Sequence, residues 1–161
     1  MAQVILLCGK LCSGKSTYAK ELQRRSPASV LLSCDKLMLS LFPDGAGNQH
    51  DMLSTRARRY LFALSLDILA TGADVILDWG FWTKAWRDEA RAFYQAHGVS
   101  CSLHYIDASP TVLARHIATR NDAVIHGKTT EYFVDEGLLA KMESQFEKPT
   151  DAEINVRYRP E

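Results

Sequence analysis

Residues 9–16 read GKLCSGKS, a stretch that fits the pattern G-x-x-x-x-G-K-[ST]. The apolar residues 4–8, VILLC, come directly before it and predict a buried strand, and the residues from Ser16 onward predict the start of a helix. A glycine-rich loop between a strand and a helix turns its N–H groups inward and adds the partial positive charge of the helix N-terminus. The stretch therefore predicts a binding site for the phosphates of a nucleotide.

The predicted phosphate site gives individual residues of the loop a role. Lys15 would reach the β- and γ-phosphates, and the Ser16 hydroxyl would hold Mg²⁺. We therefore expect ATP and Mg²⁺ as cofactors, and ATP-binding residues that comprise Gly9, Lys10, Leu11, Cys12, Ser13, Gly14, Lys15, Ser16 and Thr17. The alternative is a chance match in a strand–turn–helix corner, and the flanking strand and helix argue against it.

Length and charge limit the class of protein. The chain has 161 residues, its basic and acidic side chains number 19 each, and its four cysteines form no C-x-x-C pair. This length suits one domain, residues 1–161, with enough core to fold without disulfides. The zero net charge gives no support for duplex DNA or an anionic membrane as a partner. With no recognisable secretory leader and no apolar run of membrane length, we expect a cytoplasmic protein, monomeric or dimeric, with reduced cysteines.

Strands and helices alternate along the sequence, which predicts an α/β fold with a parallel sheet covered by helices on both faces. The predicted strands cover residues 4–8, 29–33, 74–78, 102–107 and 153–158. The predicted helices cover residues 14–25, 35–42, 51–71, 83–97, 110–119 and 132–147. The polar residues 120–130 predict a mobile loop, so that a small lid is expected at about residues 120–131.

Two of the predicted strands lead into a carboxylate, Asp35 after the second and Asp78 at the end of the third. Because the carboxyl ends of parallel strands line the ligand crevice, we expect both side chains near the phosphates. Asp35 suits a base that accepts the proton of an acceptor hydroxyl, although it also suits a helix N-cap. Asp78 would either orient Mg²⁺ or contact the acceptor, and the alternative is an ordinary turn residue at a strand end.

Aromatic and basic side chains supply further candidates for the acceptor pocket. The aromatic residues that follow Asp78 could wall that pocket or simply pack between the strand end and the helix: Trp79, Phe81, Trp82 and Trp86. Trp82 is the preferred pocket residue, whereas packing is the favoured interpretation for Trp86. His50 is a candidate only through its place at the end of a glycine-rich loop. A basic cluster on the long helix is either a solvated face or a site for an anionic acceptor: Arg56, Arg58 and Arg59.

Two arginines near the expected lid are candidates for contact with ATP. Arg120 would neutralise the moving phosphoryl group as the lid closes and excludes water. Arg115 would either assist Arg120 or stack on adenine. Both arginines also suit the ordinary preference of basic side chains for a helix C-terminus.

The sequence resembles the small P-loop kinases, which include polynucleotide kinase, chloramphenicol phosphotransferase and zeta-toxin-like kinases. It is similar above all to members catalogued simply as AAA-type ATP-binding proteins. The resemblance covers nearly the whole chain and rests on GKLCSGKS, on LDWGFW at residues 77–82, and on the stretch from VDEG at 134–137 to Phe146-Glu147. It implies a three-layer α/β/α sandwich with a five-stranded parallel sheet of order 2-3-1-4-5. It also implies ATP·Mg²⁺ on Lys15 and Ser16, a base at Asp35 and lid arginines around Arg120.

One departure from the resemblance bears on the acceptor. Polynucleotide kinases follow the base aspartate with an arginine that grips the acceptor's phosphate, whereas here Asp35 precedes Lys36, which lacks the bidentate fork. We therefore expect an ATP-dependent kinase that phosphorylates a hydroxyl of a small molecule, with Lys15, Asp35 and Arg120 as its catalytic residues. A polynucleotide 5′-hydroxyl kinase is the first alternative. A nucleotide-binding switch without acceptor phosphorylation is the second, although a switch needs no acceptor base.

Overall fold

The computed structural model describes residues 1–161 and has a parallel sheet at its centre. Its strands are β1 (Gln3–Cys8), β2 (Ser29–Leu32), β3 (Asp74–Gly80), β4 (Ser100–Ile106) and β5 (Val156–Tyr158). They lie in the order β2-β3-β1-β4-β5, and every neighbouring pair is parallel. The predicted α/β fold and the sheet order implied by the resemblance are therefore confirmed.

Six α-helices connect the strands or follow them. They are α1 (Lys15–Arg25), α2 (Cys34–Leu41), α3 (His50–Ala70), α4 (Lys84–Ala96), α5 (Pro110–Ile125) and α6 (Glu136–Gln145). Local signals explain several of their ends: Pro110 opens α5 in its first turn, and Gly72 follows α3 with a φ of 89° that glycine adopts without strain. None of the helices combines the length and the hydrophobicity that crossing a lipid bilayer requires.

The sheet separates two apolar cores, because successive side chains of a strand point to opposite faces. On one face Val4 and Leu6 pack against α2, α3 and α4 in a cluster of 17 buried residues. On the other face Leu7 and Ile76 pack against α1 in a cluster of five buried residues. Burial on both faces explains why β1 and β3 read as nearly continuous apolar runs.

The segment after β4 differs from the prediction. The fifth helix continues to Ile125, so residues 120–125 are helical and Arg120 does not lie in a loop. Polar residues alone do not break a helix. The helix ends only at His126, which is followed by Gly127 with a φ of 65°. The connection that follows is hydrogen-bonded back to α5: the Asn121 side chain donates to the Val134 carbonyl at 2.9 Å and accepts from its N–H at 2.7 Å.

Two more boundaries near the C-terminus were predicted wrongly. The last helix begins at Glu136 and not at Tyr132, because the Asp135 side chain caps it by accepting from the Leu138 N–H at 2.7 Å. The last strand begins at Val156 and not at Glu153, whose N–H donates to the Thr150 carbonyl in a turn at 3.0 Å. Both errors come from side-chain and turn hydrogen bonds that periodicity does not report.

Candidate functional site

A cavity of about 1130 Å³ opens at the carboxyl ends of β1, β2 and β3. Residues 11–17, which cover most of the glycine-rich loop and the start of α1, form one wall. The start of α2 and the end of β3 form a second wall, and α5 with residues 129–132 forms a third. The topology thus places the side chains that end separate strands around one space, as in other open parallel sheets.

The loop at residues 9–16, called the P-loop below, requires its two motif glycines. A Cβ at Gly9 would lie 2.6 Å from Ser13 Oγ and 3.0 Å from the Ile106 carbonyl oxygen, so no other residue fits without a shift. Gly14 has a φ of 100°, a conformation that side chains rarely adopt. Cys12 also has a positive φ, of 59°, and is buried. His116 on α5 supports this turn, since its Nδ1 donates to the Cys12 carbonyl at 2.9 Å.

Lys15 folds over the P-loop and is bound by it. Its Nζ donates to the Lys10 carbonyl at 2.7 Å and to the Gly9 carbonyl at 3.1 Å. Desolvation lowers the pKa of Lys15, whereas the nearby carboxylates of Asp78 and Asp35 raise it. The ammonium therefore lies against the P-loop and near the two predicted acids.

Ser16 and Asp78 form a pair of oxygen ligands that suits Mg²⁺. The Ser16 hydroxyl donates to Asp78 Oδ2 at 2.7 Å, and Asp78 is buried. The regular register of β3 with β1 places the acid there, since Asp78 pairs with Leu7; a β-bulge follows, in which Cys8 pairs with Gly80 and Trp79 has no partner. A hydroxyl and a carboxylate are hard ligands of the kind that Mg²⁺ takes together with phosphate oxygens. Of the two roles left open for Asp78, this position favours the metal over the acceptor.

Asp35 lies at the start of α2 and lines the cavity. The N-cap of this helix is Ser33, whose Oγ accepts from the Lys36 N–H at 3.3 Å, and the Asp35 carboxylate makes no hydrogen bond within the protein. Desolvation by the surrounding protein raises the pKa of Asp35, and Asp78 adds to the rise, while Lys15, His50 and Arg120 oppose it. The carboxylate still reaches the solvent of the cavity. Its lone pairs are therefore free to accept a proton from a bound hydroxyl.

Arg120 faces the cavity from the middle of the extended α5. His116 and Ala123 lie four and three residues away on the same face and also line the cavity, as does the adjacent Thr119. Sequence reasoning placed Arg120 at the site but not its helical neighbours, although their spacing was a readable signal. Arg120 Nε lies 3.4 Å from Glu131 Oε2 in the connection after α5.

Several other predicted site residues lie outside the cavity lining. Trp82 is half-buried beside Gly80, and Arg115 is exposed and donates to the carbonyl of the C-terminal Glu161. Trp82 is turned away because Gly80 and Phe81 both have positive φ values, 84° and 46°, which redirect the chain after β3. Two P-loop residues, Gly9 and Lys10, are also absent from the lining, and Lys10 pairs with Glu143 at 3.0 Å.

The basic cluster of α3 does not reach the cavity either. Arg56 and Arg59 are exposed on the helix surface, and the Arg58 guanidinium stacks on the Trp86 ring at 4.2 Å from its centroid. The interpretation of these arginines as a solvated helix face therefore fits their positions better than an anion site. The stacking also agrees with the packing role expected for Trp86.

Trp79 and Tyr132 line the cavity; the sequence offered Trp79 as one of four aromatic candidates but preferred Trp82, and it did not single out Tyr132. Tyr132 lies edge-on to His50, with ring centroids 6.1 Å apart. Desolvation raises the pKa of Tyr132, and the negative charge of Asp35 adds to the rise, which places this ring beside the predicted base. Tyr132 was hidden because the sequence pattern assigned it to the first turn of a helix.

Most of the chain matches one family of known proteins. Residues 4–149 match a family described as AAA domain (AAA_33). The chain belongs to this family. Its matched region includes the P-loop, both strand-end aspartates and Arg120. No curated protein sequence matches the chain significantly.

Solved structures share the fold at low sequence identity. A chain of the Pnkp1/Rnl/Hen1 RNA repair complex superposes with a TM-score of 0.72 at 20% identity, over 89% of this chain but only 43% of that one. The APS kinase CysC of Mycobacterium tuberculosis, in complex with AMPPNP and APS, has a TM-score of 0.67 and 17% identity over 99% of this chain and 89% of its own. A sugar kinase from Janibacter sp. HTCC2649 has a TM-score of 0.65 and 14% identity over 99% and 86%. The fold is that of the small P-loop kinases.

Proposed function

We propose that the protein is an ATP-dependent kinase that transfers the γ-phosphoryl group to a hydroxyl of a small molecule. The observation that carries the proposal is the unbonded Asp35 carboxylate, which faces the same cavity as Lys15, the Ser16–Asp78 pair and Arg120. A protein that only binds and hydrolyses a nucleotide needs the P-loop but no base at the end of a second strand. The kinase structures that share the fold support the same class of reaction.

Each residue of the cavity then has a defined task. The P-loop N–H groups and Lys15 hold the β- and γ-phosphates, and Ser16 and Asp78 would hold Mg²⁺, which supplies positive charge to the phosphate oxygens. Asp35 accepts the hydroxyl proton while the acceptor oxygen bonds to the γ-phosphorus and the bond to the β-phosphate oxygen breaks, so that ADP leaves. Arg120 stabilises the negative charge of the γ-phosphoryl oxygens during this step.

A small acceptor is favoured over a polynucleotide by the charge of the chain. Its net charge is zero, and the residue after the proposed base is Lys36 instead of the arginine of polynucleotide kinases. The volume of about 1130 Å³ holds a nucleotide together with a second small ligand. The likeness to a chain of an RNA repair complex keeps the 5′-hydroxyl of a polynucleotide as the second candidate acceptor.

The experiment that tests the proposal follows labelled γ-phosphate from ATP·Mg²⁺ into two acceptor pools. One pool contains 5′-hydroxyl oligonucleotides, and the other contains hydroxylated metabolites, nucleosides and antibiotics. We compare the wild type with Lys15→Ala, Asp35→Ala and the control Asp44→Asn, which changes an exposed acid outside the cavity. We expect label in the small-molecule pool with the wild type and with Asp44→Asn, and none with the other two variants.

Other outcomes would change the conclusion. Asp35-dependent label in the oligonucleotide pool, with steep salt dependence, would identify the second candidate acceptor. Label released only as free phosphate, at a rate that Asp35→Ala leaves unchanged, would identify a nucleotide-hydrolysing switch and contradict the proposed kinase.

A further inference from the structure

Glu131 is an acidic residue in the wall of a cavity that otherwise suits an anionic ligand. It lies in the connection between α5 and α6, and its Oε2 is 3.4 Å from Arg120 Nε. No other carboxylate lies within 4.0 Å of the Arg120 guanidinium, and both side chains line the cavity. The exposed fractions are 21% for the Arg120 side chain and 48% for Glu131, so the pair stands at the boundary between protein and solvent.

Hydrogen bonds from neighbouring side chains hold the main chain around Glu131 in this position. Asn121, one residue after Arg120, forms two hydrogen bonds with the backbone of Val134, at 2.9 and 2.7 Å. The Glu131 N–H itself donates to Thr129 Oγ1 at 3.2 Å. The connection is therefore bonded to the same helix that carries Arg120, and the ion pair does not depend on a chance meeting of two free surface side chains.

A carboxylate at this point lowers the affinity of the cavity for phosphate. It repels a triphosphate, and it occupies the cation that the proposed transfer step needs. Arg120 must therefore exchange Glu131 for phosphate oxygens before it stabilises the moving group. This exchange couples the position of Arg120 to the arrival of the nucleotide.

We propose that Glu131 is a positioning residue that holds Arg120 in an ion pair, and that the triphosphate of ATP releases Arg120 by competing with Glu131. The inference rests on the proposed function, because it takes Arg120 as a phosphate ligand. It adds a defined step: Arg120 can stabilise the γ-phosphoryl group only after phosphate oxygens of ATP have displaced Glu131. The residue next to Glu131 is Tyr132, near Asp35, so the same connection lies close to both Arg120 and the proposed base.

A double-mutant cycle tests the proposal through the Kd for ATP·Mg²⁺, measured by titration with a fluorescent ATP analogue and competition by ATP. The proteins are wild type, Glu131→Gln, Arg120→Gln and the double variant, each checked for an unchanged thermal transition. Loss of the competing carboxylate is expected to tighten binding about two- to five-fold, the range for a partly exposed ion pair. Arg120→Gln is expected to weaken binding, and Glu131→Gln is expected to give almost no gain in that background.

The control is Asp122→Asn, which removes one negative charge from α5, two residues after Arg120, without touching the cavity lining. Its side chain pairs with His126 at 3.3 Å, and we expect no change in Kd. A merely structural role for Glu131 would not make its effect depend on Arg120.

The outcomes separate this inference from the proposed function. A gain that persists in the Arg120→Gln background would mean direct repulsion of the phosphates and would overturn the positioning role, as would the absence of any gain. A gain that depends on Arg120 supports the role even where no acceptor is phosphorylated, in which case only the proposed kinase reaction fails. Absence of ATP binding by the wild type would overturn both.

Discussion

The Asp35 carboxylate is unbonded because of Ser33, two residues earlier. Because the Ser33 hydroxyl caps α2, Asp35 is not required to satisfy the helix N-terminus and makes no hydrogen bond within the protein. Sequence reasoning left the two tasks of Asp35, cap and base, undivided. The structure assigns the cap to Ser33 and leaves the carboxylate open to the cavity.

The raised pKa of Asp35 predicts the acid limb of the pH–rate profile. Desolvation and the charge of Asp78 raise this pKa above the ordinary value of 3.8, and the base must be deprotonated to act. We expect kcat/KM for phosphoryl transfer to fall as the pH is lowered through that raised pKa, with the limb above pH 3.8. The check is a pH profile of transfer beside a pH profile of ATP binding, which reports Lys15 and the P-loop separately.

The profile has a matched control in Asp78→Asn. Removal of the neighbouring negative charge is expected to shift the acid limb to lower pH, besides any loss of rate. A transfer rate independent of pH on the acid side of the wild-type profile would contradict the assignment of Asp35 as the base.

Arg87 is a buried cation whose role is structural. It is 1% exposed, its Nε lies 2.8 Å from Glu153 Oε1, and its Nη1 donates to the carbonyls of Phe81, Trp82 and Glu147. The guanidinium thus joins the turn after β3 to the segment that leads into β5. Nothing in the local sequence distinguished Arg87 from the exposed arginines.

Arg87→Met is expected to lower the free energy of unfolding by about 3 kcal/mol or more, because it removes the buried cation that bonds Glu153 and three carbonyls. Urea denaturation provides the measurement. The control Asp88→Asn, on the same helix, removes only partly exposed pairs with Lys84 and Arg91 and is expected to cost less than about 1 kcal/mol. Equal losses in the two variants would contradict a special role for Arg87.

Helix α5 is the element for which the sequence prediction and the structure differ most. Its polar second half predicted a loop, yet helical hydrogen bonds continue to Ile125, since no glycine or proline interrupts them before Gly127. The extension places Arg120 and Ala123 on the same face as His116, along one wall of the cavity. A rigid helix thereby presents Arg120 to the site, whereas the sequence predicted delivery by a mobile loop.

Asn121→Ala is expected to loosen the connection between α5 and α6. The change removes both side-chain hydrogen bonds to Val134, so the amides of residues 131–135 should exchange with deuterium at least about ten-fold faster, the effect of losing about 1.4 kcal/mol of local stability. Hydrogen-exchange mass spectrometry resolves these residues from α5. Asp122→Ala, which leaves the pair with Val134 intact, is the control, and equal exchange in both variants would contradict the anchor.

Across the molecule, two titratable groups on opposite faces of the sheet predict how acid acts on stability: His104 and Glu153. On the α1 face, desolvation lowers the pKa of His104, whose Nδ1 lies 3.0 Å from the Tyr18 hydroxyl. On the opposite face, although desolvation opposes it, hydrogen bonds from Arg87 and Thr150 lower the pKa of Glu153 to about 2. Both shifts make the unfolded chain bind more protons than the folded protein, so acid favours unfolding.

We expect the free energy of unfolding to fall in two stages as the pH is lowered. The first begins below the ordinary His pKa of 6.5, where the unfolded chain protonates His104 first. The second begins near the ordinary Glu pKa of 4.5 and continues as the pH falls toward 2. Urea midpoints across this range provide the measurement. His104→Gln should remove the first stage, and Glu153→Gln should weaken the second, to which the lowered pKa values of Asp51 and Asp107 also contribute. A midpoint that stays constant from pH 7 to 4 would contradict the account.

Local patterns were enough to predict the α/β class of this protein and the approximate places of its strands. The P-loop, the alternation of strands and helices, and the carboxylates that follow the second and third strands depend on spacing within a few residues, which a sequence displays directly. The family resemblance supplied the sheet order, which the structure confirms. The same local signals predicted the P-loop wall of the cavity and the base at Asp35. Each of these short stretches contains the residue types that its predicted role needs, and the carboxyl ends of parallel strands line the crevice.

The remainder of the site depends on contacts between distant parts of the chain. Ser16 meets Asp78 across 62 residues and His116 meets Cys12 across 104. A bulge in β3 and two positive φ values after it bring Trp79 to the cavity and turn Trp82 away. Bulges, backbone turns and ion pairs such as that of Arg120 with Glu131 arise from packing of whole elements, and no periodicity along the chain records them. For that reason the tertiary structure alone determined which side chains complete the cavity and which acid holds its arginine.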